Sequence, residues 1–294
     1  MKTKKYILET KDLWFQYLID GQEMDEKLRP VTRFQQDAAN DILVHYAKNI
    51  SDAPVLKRIT IFVEEHLEMY YRDQIHSKSW SVRMNVLHKI FDFKMEFLLK
   101  EVLMLLDCKK HKTNEEYLLM YKIVLVFDIQ LFIEKIMNPK YELGEYDYKK
   151  LFIDIDEDRL DLLVQREEEL SRKLTYVLIE VIGVKHLIDY LPFLESKLEA
   201  EDPEIRIKAL KSIARIGYIS DIEHYEPFMD GDTWEERLML AKILAFAPIE
   251  KAIALSTVLV EDSSWEVRKQ AELTLEKVTI TENAYIDKEK EAIV

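Results

Sequence analysis

The sequence predicts an all-α fold in which helix pairs stack as repeats into an α-α superhelix, and three observations predict it. One pattern recurs in the C-terminal third as Pro203-Glu204-Ile205-Arg206, Trp234-Glu235-Glu236-Arg237 and Trp265-Glu266-Val267-Arg268, its arginines 31 residues apart. Behind each arginine, at offsets of three, seven and ten, comes the same apolar ladder: Ala209, Ile213, Ile216; Leu240, Leu244, Ala247; Ala271, Leu275, Val278. Those offsets fall on one helix face, and a repeat of this length is the mark of a solenoid. Finally, 294 residues contain only 5 Gly and 7 Pro, most of them between periodic segments, so little breaks a helix.

In chain order, residues 6–24 read as a helix with Leu13, Trp14, Tyr17 and Leu18 on one side, after a solvated start with Lys2, Lys4 and Lys5. Residues 21–29 are polar and end it. Pro30 opens the next helix, which carries Phe34, Ala38, Ile42 and Tyr46 and ends near Asn49. Ser51 and Asp52 offer cap oxygens ahead of Pro54, and a third helix reaches about Tyr71. Trp80-Ser81-Val82-Arg83 is an early copy of the pattern, with Val86, Ile90 and Phe93 at the same offsets. It lies 123 residues before the next copy, close to four periods, so the units between have drifted rather than vanished.

Residues 97–106 pair with that copy as a second helix. Residues 115–137 read as one long apolar helix stopped by Asn138-Pro139, and 140–150 as a connection holding Tyr141, Tyr146 and Tyr148. Helical spacing resumes over 159–166 and 167–182, with Gly183 as a C-cap. Two second helices share a phrase, Tyr190-Leu191-Pro192-Phe193-Leu194 and Tyr225-Glu226-Pro227-Phe228-Met229, while Gly183 and Gly217 mark bends. Pro248 opens another second helix, ending near Val260. The chain thus divides into a divergent repeat region (1–166), regular repeats (167–279) and a polar capping or frayed tail (280–294).

Composition limits the chemistry. A formal charge of −14 counts against nucleic acid and favours a basic partner. Cys108 is the only cysteine, which excludes an intramolecular disulfide and suits a reducing compartment. Neither a signal peptide nor a membrane-length apolar run is found. Asp154-x-Asp156-x-Asp158 starts like a calcium loop, but Arg159 stands at the Gly position and Gln165 at the final Glu, so it reads as an acidic helix entry. The seven histidines (His45, His66, His76, His88, His111, His186, His224) form no ligand spacing, and Glu64-Glu65-His66 lacks a zinc protease's second histidine. With no phosphate loop or nucleophile elbow either, no catalytic residue, metal or cofactor is expected. Trp80, Trp234 and Trp265 are expected to pack on the neighbouring repeat with each indole on a loop carbonyl, rather than to form an exposed row.

The entries Asp202-Pro203-Glu204-Ile205-Arg206-Ile207-Lys208-Ala209 and Asp262-Ser263-Ser264-Trp265-Glu266-Val267-Arg268-Lys269-Gln270-Ala271 resemble HEAT repeats. That resemblance implies first helices on the convex side, second helices on the concave side, and an acid–arginine ladder between repeats. Asp262 has the family's separation from its arginine, Asp202 and Asp232 sit closer, and Glu236 replaces an apolar residue, which leaves the middle rung open. Over its length the chain is also similar to bacterial HEAT proteins encoded beside envelope glycosyltransferases. Some of those carry an N-terminal membrane helix that is missing here, as in a soluble fragment.

The resemblance implies a non-enzymatic protein-binding scaffold or adaptor, in the cytoplasm or at the inner face of the membrane, as part of an envelope assembly. The expected surface is that of the second helices, with Asp189, Glu195, Asp221, Glu223 and Glu250 as its acids and Tyr190, Tyr218 and Tyr225 as anchors. Its partner is a protein, basic or membrane-associated. The alternative is a HEAT-like enzyme such as an alkylpurine DNA glycosylase, which needs a basic face, aromatic side chains and a carboxylate; a bilin lyase is a further case, to be told by covalent chromophore transfer.

Overall fold

Helix starts follow the caps that the sequence supplies. The computed structural model describes residues 2–50, 52–108 and 112–293, with side chains over 5–280 of that span; Ser51, His111 and the side chains of Lys2 and Lys4 fall outside. All regular structure among the described residues is helical, in two compact units that divide between Leu143 and Gly144.

The first unit holds α1 (Lys2–Leu18), α2 (Arg33–Asn49), α3 (Ala53–His66), α4 (Glu68–Ile75), α5 (Trp80–Asp92), α6 (Leu99–Leu106), α7 (Asn114–Phe127) and α8 (Ile129–Met137). Helix α1 stops earlier than its apolar spacing suggests, because Arg58 of α3 takes the Leu18 carbonyl with Nε and Nη2, at 2.9 and 2.6 Å. Trp14 is fully buried, edge-on to Phe62 at 4.8 Å. Helix α2 begins three residues after Pro30, where Thr32 and Gln35 form a capping box. The expected third helix is two, broken at Leu67. The expected long helix over 115–137 is also two: Asp128 takes extended backbone and caps α8, accepting from the Leu131 amide at 2.9 Å.

The second unit holds α9 (Glu145–Ile153), α10 (Glu157–Val164), α11 (Arg172–Val184), α12 (Leu191–Ser196), α13 (Pro203–Ile216), α14 (Trp234–Ile243), α15 (Ile249–Leu259) and α16 (Trp265–Ile293). Two 3-10 turns, Ile222–His224 and Glu226–Asp230, stand where a second helix is expected. Ser171, Asp202 and Thr233 cap α11, α13 and α14 through their side chains, 31 residues apart. First helices along the chain begin at 80, 114, 145, 172, 203, 234 and 265, so three starts lie between the two pattern copies and divide their interval into four steps. Helix α9 occupies most of the expected tyrosine-rich connection, and α16 continues helically through the expected tail.

Burial follows the ladder. The residues three after the arginine (Val86, Ala209, Leu240, Ala271) are all buried, as are Ile90, Ile213 and Leu244 at seven. Leu275 is only half-buried, because α16 packs mainly on α14 and α15 and its far side lacks a described neighbour. Gly183 is not a cap. It lies inside α11, where a Cβ would come within 2.5 Å of the Ser212 side chain, and Ser212 Oγ donates to the Ile179 carbonyl at 2.9 Å. A bare backbone there lets α11 and α13 touch. In the second unit the described left-handed residues are instead His186 (φ 54°) after α11 and Gly217 (φ 77°) after α13. Two periods on, Thr274 repeats the Ser212 bond to the Ala241 carbonyl at 2.8 Å.

An arginine ladder joins the repeats. Each arginine's Nη1 donates to the carbonyl six residues earlier: Arg83 to Ser77, Arg206 to Ala200, Arg237 to Gly231, Arg268 to Asp262, at 2.7–2.9 Å. The Nε edge reaches an acid of the following repeat: Arg83 to Glu116 (2.7 Å), Arg206 to Glu236 (2.6 Å) and Arg237 to Asp262 (2.6 Å). The middle rung is therefore made, and by the residue that breaks the apolar pattern. Glu116 and Glu236 are both buried, each also closing a capping box with Thr113 or Thr233. Asp202 answers Arg172 and the Tyr176 hydroxyl, at 2.6 and 2.7 Å, and Asp232 stays exposed.

Candidate functional site

The second elements of the C-terminal unit are short because their chemistry is local. Proline stands in the first turn of α12 and of the 3-10 turn Glu226–Asp230. The tyrosine two residues ahead of each proline reaches back one repeat. Tyr190 donates its hydroxyl to the Glu157 carbonyl at 2.8 Å, and Tyr225 donates to the Glu195 carboxylate at 2.7 Å.

Those bonds sort the expected surface residues. Tyr225 is fully buried and its hydroxyl is held well above the usual phenol range by burial and then by Glu195. Glu195 also accepts from Ser220 Oγ at 2.6 Å. These two residues are links between repeats and not anchors for a partner, since a fully buried ring presents nothing to a surface. Tyr190 is half-buried. Asp189, Asp221, Glu223, Glu250 and Tyr218 are exposed, as expected; Asp221 caps its 3-10 turn through the Glu223 amide. Lys251 is paired with Glu226 at 2.7 Å, and its pKa is raised by that bond and then by Glu226, Glu223 and Asp221 together.

The structure adds three carboxylates. Glu157, Asp158 and Asp161 of α10 join Asp189, Ile188, Tyr190 and Phe193 around a cleft of about 660 Å³. Burial, Asp161, Glu157 and Asp158 all push the Tyr190 phenol upward, the response of a neutral acid in a negative field. Lys185 also borders the cleft, but its amine is engaged by the carbonyls of Ile153 and Ile155 at 3.2 and 2.6 Å. Ile188 is 49% exposed. The arrangement is an apolar patch inside a carboxylate rim, able to hold the stem and head of a Lys or Arg side chain.

Trp80, Trp234 and Trp265 are more exposed than expected, at 46%, 40% and 64%. Only the Trp80 indole has a bond to a neighbouring repeat, to Thr113 Oγ1 at 3.1 Å. Cys108 follows the end of α6, and Asp156 stands at the N-cap of α10, as the acidic-entry reading expects. Among the described residues no His, Cys, Asp or Glu side chains are grouped to hold a metal ion, and no helix is long and apolar enough to cross a membrane. Comparison with protein-family models and with curated proteins gives no match.

Proposed function

We propose that the chain is a non-enzymatic, HEAT-like protein-binding scaffold whose second-element face receives a basic segment of a partner. One observation carries this reading: four carboxylates, Glu157, Asp158, Asp161 and Asp189, surround the exposed Ile188 and the half-buried Tyr190 and Phe193 in a single cleft. A stack of repeats aligns equivalent second elements, so the exposed Asp221, Glu223 and Glu250 extend the same acidic tendency along the unit. Association should be steered by charge and weakened by salt. The glycosylase-like alternative requires a basic face where this cleft is acidic.

The test is binding of a labelled Lys/Arg-rich peptide to the full chain against salt concentration. Asp158→Asn with Asp161→Asn and Asp189→Asn should weaken it about tenfold or more and flatten the salt dependence. Unaltered binding would remove the cleft from the reading. Peripheral membrane attachment, in the cytoplasm of a bacterium and through an envelope partner, is the finer part of this proposal. Co-purification with membranes that is lost in the same triple variant supports it; retention without any change in that variant counts against it.

A further inference from the structure

The first helices of the last three repeats enclose a cleft of the opposite charge. Helices α13, α14 and α16 enclose a cleft of about 510 Å³ whose lining includes Lys211, Arg215, Lys242 and Lys277 and, among the described residues, no carboxylate. The 31-residue period puts them there: Lys211 and Lys242 occupy one row of equivalent positions, and Arg215, Phe246 and Lys277 the next. In a chain with 14 more acidic than basic side chains, a cleft lined by Lys211, Arg215 and Lys242 with no carboxylate among its described lining residues is a local exception.

Two further observations point to a ligand. Arg215 Nη1 is buried and has no hydrogen-bond partner. A guanidinium nitrogen in that state is costly unless an anion reaches it. The floor beside it is apolar and open: Phe246 and Leu273 are exposed, and the Lys277 amine sits 5.2 Å from the Phe246 ring centre.

We propose that this cleft docks an acidic amphipathic segment of a partner protein. One carboxylate of that segment pairs with Arg215, its neighbours meet Lys211 and Lys242, and an apolar side chain covers Phe246 and Leu273. Charge complementarity selects an acidic ligand. The apolar floor favours a peptide over a duplex, whose phosphates would leave Phe246 and Leu273 uncovered and whose length would run onto the acidic remainder of the surface. This site is distinct from the acidic cleft of α10 and α12 and does not depend on it.

The experiment uses fluorescence polarisation with the full chain at low salt. The probes are a labelled peptide of about 12 residues with Glu and Leu at helical spacing, its Gln-for-Glu twin, and a labelled DNA duplex. The Glu peptide should bind about tenfold tighter than either other probe. Lys211→Glu with Lys242→Glu should weaken it about tenfold, and Leu273→Ser several-fold, with helicity unchanged. Asp158→Asn with Asp161→Asn should leave it intact, which separates this site from the acidic one. If charge reversal disturbs folding, Lys211→Gln with Lys242→Gln decides the matter. Equal binding of the Gln twin, tighter binding of the duplex, or indifference to the lysine variants overturns the proposal.

Discussion

Glu236→Leu separates what the repeat pattern asks for from what the structure needs. The pattern places an apolar residue before the arginine, as in Ile205 and Val267, so the substitution restores the consensus. The structure predicts a loss. Glu236 is buried and accepts from Arg206 Nε at 2.6 Å and from the Thr233 amide at 3.2 Å. Removing one side of a buried ion pair costs about 3–5 kcal/mol. Arg206 keeps the Ala200 and Glu201 carbonyls and is 16% exposed, which lowers that figure to about 2–4 kcal/mol. Losing half a capping box adds about 0.5–1 kcal/mol, and burying the leucine returns about 1–2. The net expectation is destabilisation of about 2 kcal/mol, within a span of about 0.5–4 kcal/mol. Two compact units make a single global midpoint ambiguous, so the reading is native-state hydrogen exchange across α13 and α14. In a cycle with Arg206→Met the double variant should lose less than the two singles together. Unchanged or slower exchange in Glu236→Leu, or strictly additive losses, would refute a working rung at this repeat.

Three other outcomes follow from the packing. Ile213→Ala and Leu244→Ala should each cost about 2–5 kcal/mol and the half-buried Leu275→Ala clearly less, by denaturant unfolding; equal losses at all three would break the described end of the stack. Gly183→Ala should lower the thermal midpoint although alanine favours helices by about 1 kcal/mol, because its Cβ would meet Ser212 at 2.5 Å; a raised midpoint would disprove the close crossing. Burial alone would raise the Glu180 pKa, but hydrogen bonds from Lys149 (2.8 Å) and Lys208 (2.7 Å) hold it at about 2. A lowered folded-state pKa gives stability that is present above the ordinary carboxylate range, near 4.5, and fades as pH falls towards 2. Protection of α9, α11 and α13 should decline across that window, and Glu180→Gln should blunt the decline; an acid profile untouched by Glu180→Gln would contradict the assignment.

What the sequence could reveal depended on whether a residue's role was set by its own repeat or by the next one. Apolar offsets are a property of one helix face, so Val86, Ala209, Leu240 and Ala271 were legible as core, and the four-period distance from the early copy at Arg83 matches four steps between first-helix starts. Glu236 and Glu116 were not. As departures from an apolar pattern they look like damage, yet Thr113-x-x-Glu116 and Thr233-x-x-Glu236 are capping-box spacings, a signal present in the sequence itself. The shared tyrosine phrase shows the remaining limit. Its geometry is the same in both copies, a hydroxyl reaching back to the preceding second element, but Tyr190 finds a carbonyl beside a cleft and stays half-buried, while Tyr225 finds Glu195 and is closed over. Exposure is decided by the preceding element, helix α10 in one case and α12 in the other. A surface anchor and a buried strut can therefore carry the same local sequence. The acidic cleft went unseen for the same reason: Glu157 lies 33 residues before Tyr190, about one period away, and only the stacking of two repeats makes them neighbours.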